Sequence, residues 1–155
     1  MNILRLILVS TAITLGALFA SVVAAQQPAA QKSLYERLGG LKGITVVVDD
    51  FINRLVANDE LNKNPAISAG RKSSPSPYLK FQVSQMVCGV TGGPCNYTGK
   101  AMKEAHAHLG ISEKEWGVMA AEFKTSLDKF KVPAAEQKEL FDIVGTTKTD
   151  IVASK

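Results

Sequence analysis

The sequence predicts an all-α fold. Three observations carry this. Apolar residues recur at steps of three and four along several stretches after residue 33. No segment alternates apolar and polar residues with a period of two. Clusters of Gly, Pro and Ser separate the stretches and stop helices. About 130 residues follow an N-terminal leader, enough for one domain with one core. No internal repeat is visible.

The leader reads MNILRLILVSTAITLGALFASVVAAQQ. One positive residue, Arg5, precedes a long uncharged apolar run that ends in Val23-Ala24-Ala25, a small-residue cleavage pattern. Residues 1–25 therefore read as a secretory signal peptide, residues 26–32 as a polar linker, and residues 33–152 as the domain. Left uncut, the run is long enough to span a bilayer. Cleavage gives an exported protein, periplasmic or secreted, with no stable membrane insertion. The 18 Lys and Arg against 14 Asp and Glu give +4, or +3 once Arg5 leaves. These charges are scattered, as on solvated helix faces. No basic block is interleaved with aromatics, so nucleic acid is not an expected partner.

Each element follows from its pattern. Ser33 opens SLYERLGG, a helical turn ended by Gly39-Gly40. In GITVVVDDFINRLVAND, residues Ile44, Val47, Val48, Phe51 and Leu55 share one face. The β-branched content makes a strand the competing reading, but the length and the Asp49-Asp50 pair on the opposite face favour helix. Residues 59–77 are polar and rich in Pro, Ser and Gly, and read as a long loop. Helix resumes at Tyr78, with Leu79, Val83, Met86, Val87 and Val90 on one face, and stops at TGGP. A short helix follows in MKEAHAHLG. Ser112 and Glu115 form a capping box. It opens a helix whose stripe is Trp116, Met119, Phe123, Leu127 and Phe130. Val132-Pro133 breaks that helix and starts the last one, with Leu140, Ile143, Val144 and Ile151 inside.

The two cysteines, Cys88 and Cys95, flank GVTGGP. Gly92-Gly93-Pro94 can reverse the chain, so a disulfide is sterically possible in an oxidising compartment. Two separate thiols are the alternative. Neither zinc spacing nor CxxCH is present, so covalent attachment of a c-type haem is not expected. Both histidines lie in MKEAHAHLGIS. Residues two apart on a helix point to different faces. His106, four after Met102 and three before Leu109, lies on the apolar side, and His108 points elsewhere. Taken alone, His106 reads as a hydrogen-bonded core histidine.

The segments SLYERLGG, VVVDDF, TGGPCNYTGKAMKEAH and LGIS, in this order and at these spacings, resemble the truncated haemoglobins, and within them the first group. The resemblance runs from about Ser33 to Val152. It implies a two-over-two helical sandwich around a non-covalent haem b. It also implies that His106 is the proximal ligand of the iron. Met102, Ile111, Trp116, Met119, Leu140 and Val144 fall where that family lines the haem. Each also reads as plain core. Lys100 and Lys103 are within reach of haem propionates, or are simply solvated.

The distal side departs from the family. A tyrosine commonly follows the phenylalanine of the second helix, and here Phe51 is followed by Ile52. Counted back from TGGP, the usual polar positions become Leu79 and Val83. The expected distal pocket is Phe51, Ile52, Leu79, Val83, Met86 and Val87, nearly all hydrocarbon. A one-residue shift would bring Tyr78 or Gln82 inward. A hydrogen bond to a charged group is worth ~1.5–3 kcal/mol. An apolar pocket should therefore hold O₂ poorly relative to CO or NO. The first functional expectation is a haem globin that takes a diatomic gas, with carriage, sensing and nitric oxide detoxification all open. The second is a six-coordinate electron-transfer protein with Met86 on the iron. The third is a helical domain without haem.

Overall fold

The computed structural model describes residues 31–153, which form helices joined by turns. The leader and most of the linker lie outside the described residues. Among these residues no helix is long and apolar enough to cross a membrane. The helices are α1 Leu34–Arg37, α2 Gly40–Ala57, α3 Asp59–Asn62, α4 Pro65–Ser73, α5 Ser76–Val90, α6 Met102–His106, α7 Glu113–Lys129, α8 Ala134–Thr146 and α9 Lys148–Ile151.

Local chemistry sets most boundaries. Ser33 caps α1 and Ser112 caps α7, each in a reciprocal box with the glutamate three residues on. Gly39 and Gly40 take φ of 83° and 69°, a left-handed turn that glycine adopts without penalty. The stretch expected to be a loop, residues 59–77, instead carries α3, α4 and the start of α5. The side chains of Asn58 and Asn64 each accept two backbone N–H groups at the starts of α3 and α4, and Pro65 fills the first position of α4. The polar composition hid two capped helices. The last helix, expected to run to Ile151, is split at Thr147. There the hydroxyls of Thr146 and Thr147 donate to the carbonyls of Ile143 and Val144, at 2.7 and 2.8 Å.

Two layers build the core. Helices α2 and α5 pack along each other, burying Ile44, Val48, Ile52 and Cys88 with Leu79 and Val83 against them. Helices α7 and α8 meet through Phe123, Leu127 and Leu140, joined by Leu34 of α1. Phe51 touches both clusters and links the layers. Its ring lies 5.1 Å from Phe123, which lies 5.3 Å from Phe141. Such tilted aromatic pairs contribute beyond their buried area.

Asp50 was expected on a solvated face. Instead it locks α2 to α7. Its carboxylate accepts from Arg54 at 2.6 Å, from the fully buried Ser126 hydroxyl at 2.9 Å, and from Lys129. Lys129 above all, then Arg54 and Ser126, hold the Asp50 pKa down to about 2, against the opposing effect of burial. A depressed carboxylate pKa stabilises the fold above the unfolded value and loses that contribution as pH falls through the folded value. Asp50→Asn should therefore be less stable than wild type at neutral pH. The gap should close between about pH 4 and pH 2. Urea melts of both proteins across that range check this. A gap that stays constant would exclude the ionised Asp50 as its source.

Candidate functional site

Helix α6 is five residues long and has no side-chain cap at Ala101. A helix this short is not stable alone, so its place depends on its neighbours. It packs against α9. His106 ends it, half-buried, with Nδ1 2.8 Å from the carbonyl oxygen of Met102. A carbonyl only accepts, so Nδ1 carries the proton and donates. The Nε2 lone pair is then free to bind a metal. His108 is exposed and lies beside α4, its Nε2 about 4.0 Å from where a Cβ on Gly70 would stand.

The loop after His106 is held from two sides. The Asn64 side-chain amide donates to the Leu109 carbonyl at 3.0 Å and to Glu115 at 2.8 Å. The Ala153 N–H donates to the Ile111 carbonyl at 2.8 Å, with Ile111 and Val152 paired as a parallel bridge. A surface depression of about 520 Å³ opens at this junction. Glu60, Lys63, Asn64, Leu109, Lys114 and Glu115 are among its lining, and His106 is not. It is a polar clasp, with Glu60 held down to about 2 by Lys114 and Lys63.

The candidate residues divide into two sets. Ile52, Leu79 and Val83 come together in the α2–α5 cluster, with Ile52 only 4 % exposed. Phe51, Leu140 and Val144 join the cluster built on Phe123. Ile111 is buried beside Val152. Met86, Met102, Trp116 and Met119 are half-buried and belong to neither cluster. Lys100 pairs with Glu104 at 3.4 Å, both well exposed. Among the described residues, no group of three or more His, Cys, Asp or Glu is placed to hold a metal ion.

Tyr78 is 48 % exposed. Gln82, one helical step from both Leu79 and Met86, differs: its Oε1 is buried with no hydrogen-bond partner. A buried polar atom left unpaired is costly and uncommon. Sequence reasoning ranked Gln82 as an alternative only. It missed Asn58 and Asn64, although asparagine before a capped turn, and before Pro at the first helical position, is a readable signal.

The comparison with known proteins decides the family. Residues 33–153 match the bacterial-like globins. The chain belongs to the bacterial-like globin family. It is similar to the group 1 truncated haemoglobin GlbN of Mycolicibacterium paratuberculosis, 26% identical over 134 residues that cover 86% of this chain and 94% of the relative. It is also similar to the group 1 truncated haemoglobin of Tetrahymena pyriformis, 22% identical over 121 residues, covering 78% and 95% of the two chains. In fold, this globin matches the crystal structure of the Tetrahymena protein in its Fe(III) form, with a TM-score of 0.69 at 21% identity over 79% of this chain and all of that one. The 2/2 haemoglobin of a Synechococcus species, solved in the cyanomet state with covalently attached haem, gives a TM-score of 0.68 at 22% identity, covering 78% and 98%. The fold is the two-over-two sandwich, and haem is the cofactor that membership implies. The donor chemistry of this globin fits that group. It offers one imidazole with a fixed tautomer, and thioether and indole side chains not fully enclosed by the protein core.

Proposed function

We propose that this globin is an exported haem b protein that takes a diatomic gas on iron held by His106. The observation that carries the reading is the hydrogen bond from His106 Nδ1 to the Met102 carbonyl, which leaves Nε2 as the free donor. The haem would supply an open coordination position for O₂, CO or NO. Met102, Trp116 and Met119 offer apolar surface for the porphyrin faces, and their half-burial suits that role. The apolar leader supports export. Spectra of the ferric, ferrous and CO forms test the reading. A Soret band and a five-coordinate ferrous form that takes CO support it. A low-spin ferrous form slow to take CO would transfer the assignment to the Met86-ligated electron carrier. No Soret band after haem supplementation would exclude both.

On the distal side, the buried and unpaired Oε1 of Gln82 supports a pocket with one polar group rather than none. Either end of an amide can face inward, and its N–H₂ end donates. Leu79 and Val83 cannot donate, and Ile52 is packed in the core. Gln82→Leu should speed O₂ release by roughly tenfold, from ~1.4 kcal/mol for one lost hydrogen bond, and change CO release much less. Stopped-flow release of both gases measures this. Equal effects on the two gases would point to a change of shape rather than a lost donor. Ile52→Tyr, the substitution that would restore the family's usual donor, should instead cost stability by overpacking against Ile44, Val48 and Cys88.

A further inference from the structure

The structure raises the question of what holds α6 in place. None of its residues belongs to either hydrophobic cluster, it lacks a capping side chain, and it is too short to persist alone. Its main packing neighbour is α9, which follows α8 after the break at Thr147. Beyond α9, the chain runs parallel to the segment that follows His106. Val152 bridges Ile111, and Ala153 N–H donates to Ile111 O at 2.8 Å. Lys148 also reaches Glu113 at 2.7 Å, but with 40% and 67% of the two side chains exposed this pair contributes little. The backbone pairing is the stronger tie.

We propose that the C-terminal strap, Lys148–Ala153, positions the helix that carries His106, and that the Ala153–Ile111 hydrogen bond tunes how firmly His106 holds the iron. Ala153 meets the segment after His106 only through its backbone N–H on the Ile111 carbonyl. It is a positioning residue that acts through Ile111, five residues after His106. The proposal rests on His106 as the iron ligand. A single hydrogen bond on an open chain edge is modest in strength. The strap is therefore suited to adjusting the ligand rather than to holding the whole fold, which the two buried clusters do.

Ala153→Pro tests this in the holoprotein. Proline removes the N–H that donates to the Ile111 carbonyl. The residue before it, Val152, already has φ −76° and ψ 125°, the conformation that a following proline requires. Three readouts apply: the iron–histidine stretching band of the ferrous protein, transfer of haem to excess apomyoglobin, and hydrogen exchange at the amides of Ala105, Ala107 and Leu109. The expected result is a shifted or broadened band. Haem loss and amide exchange should both be faster by roughly three- to tenfold, the range that one hydrogen bond spans. A chain ended at Val152 removes the same donor without proline and should match it. If it serves alone because the proline variant fails to fold, the same outcomes apply. Wild-type values in all three readouts would overturn the proposal. The His106→Gly protein separates the two levels of failure. If it keeps the iron–histidine band, His106 is not the ligand and the proposal falls with that reading. If it loses the band while Ala153→Pro is unchanged, only the strap fails.

Discussion

His106→Gly should purify without tightly held haem, and added imidazole should restore a Soret band. His106 is the histidine whose Nδ1 is fixed on a carbonyl of its own helix and whose other nitrogen is free. Removing the hydrogen-bond partner of a metal-bound histidine typically costs 10–100-fold in affinity, roughly, and removing the histidine itself should cost more. Filling the space with imidazole returns the ligand without the covalent tether. His108→Ala should leave the spectrum unchanged, because His108 is exposed and lies beside Gly70 of α4. The ferric and ferrous spectra of both variants decide it. Reversed behaviour of the pair would place the iron on His108 and undo the assignment of the site.

Reduction of the Cys88–Cys95 disulfide should destabilise the protein by about 2–3 kcal/mol in the chain-entropy model. For a domain of this size that is a fall in Tm of roughly 8–12 °C. The sequence left a bridge and two thiols equally open, and the structure has the bridge, with Cys88 fully buried in the α2–α5 cluster. The loop it closes is tightly packed. A Cβ on Gly93 would stand 2.5 Å from the Tyr35 ring and 2.7 Å from the Cys88 sulfur, so only glycine fits there. This loop leads towards α6, so haem retention should weaken together with stability. Thermal melts of the exported protein with and without reductant measure the effect. A double Cys88→Ala, Cys95→Ala variant should reproduce it. Two alkylatable thiols by mass in the unreduced protein would remove the premise.

The sequence showed clearly those features whose cause lies within a few residues. The Ser112–Glu115 capping box, the Gly39-Gly40 turn, the stop at TGGP and the stripe through Phe123 and Leu127 all stand in the structure. The same local logic separated His106 from His108. It failed over residues 59–77, where composition outweighed the caps at Asn58 and Asn64.

Periodicity determined which residues share a helix face, and the quoted motifs, by their order and spacing, carried the resemblance to the family. Periodicity could not determine what that face meets. Ile52, Leu79 and Val83 have the same pattern whether they oppose a cofactor or another helix, and only the α2–α5 crossing buries Ile52 and sets the half-buried Leu79 and Val83 against its cluster. Asp50 looked solvated because its partner Ser126 is 76 residues away. The Ala153–Ile111 bond likewise joins distant parts of the chain. Local sequence encodes backbone shape within one turn, through caps, breakers and side-chain spacing. The partners of a buried group depend on how whole helices cross, and that is set by the packing of the entire core.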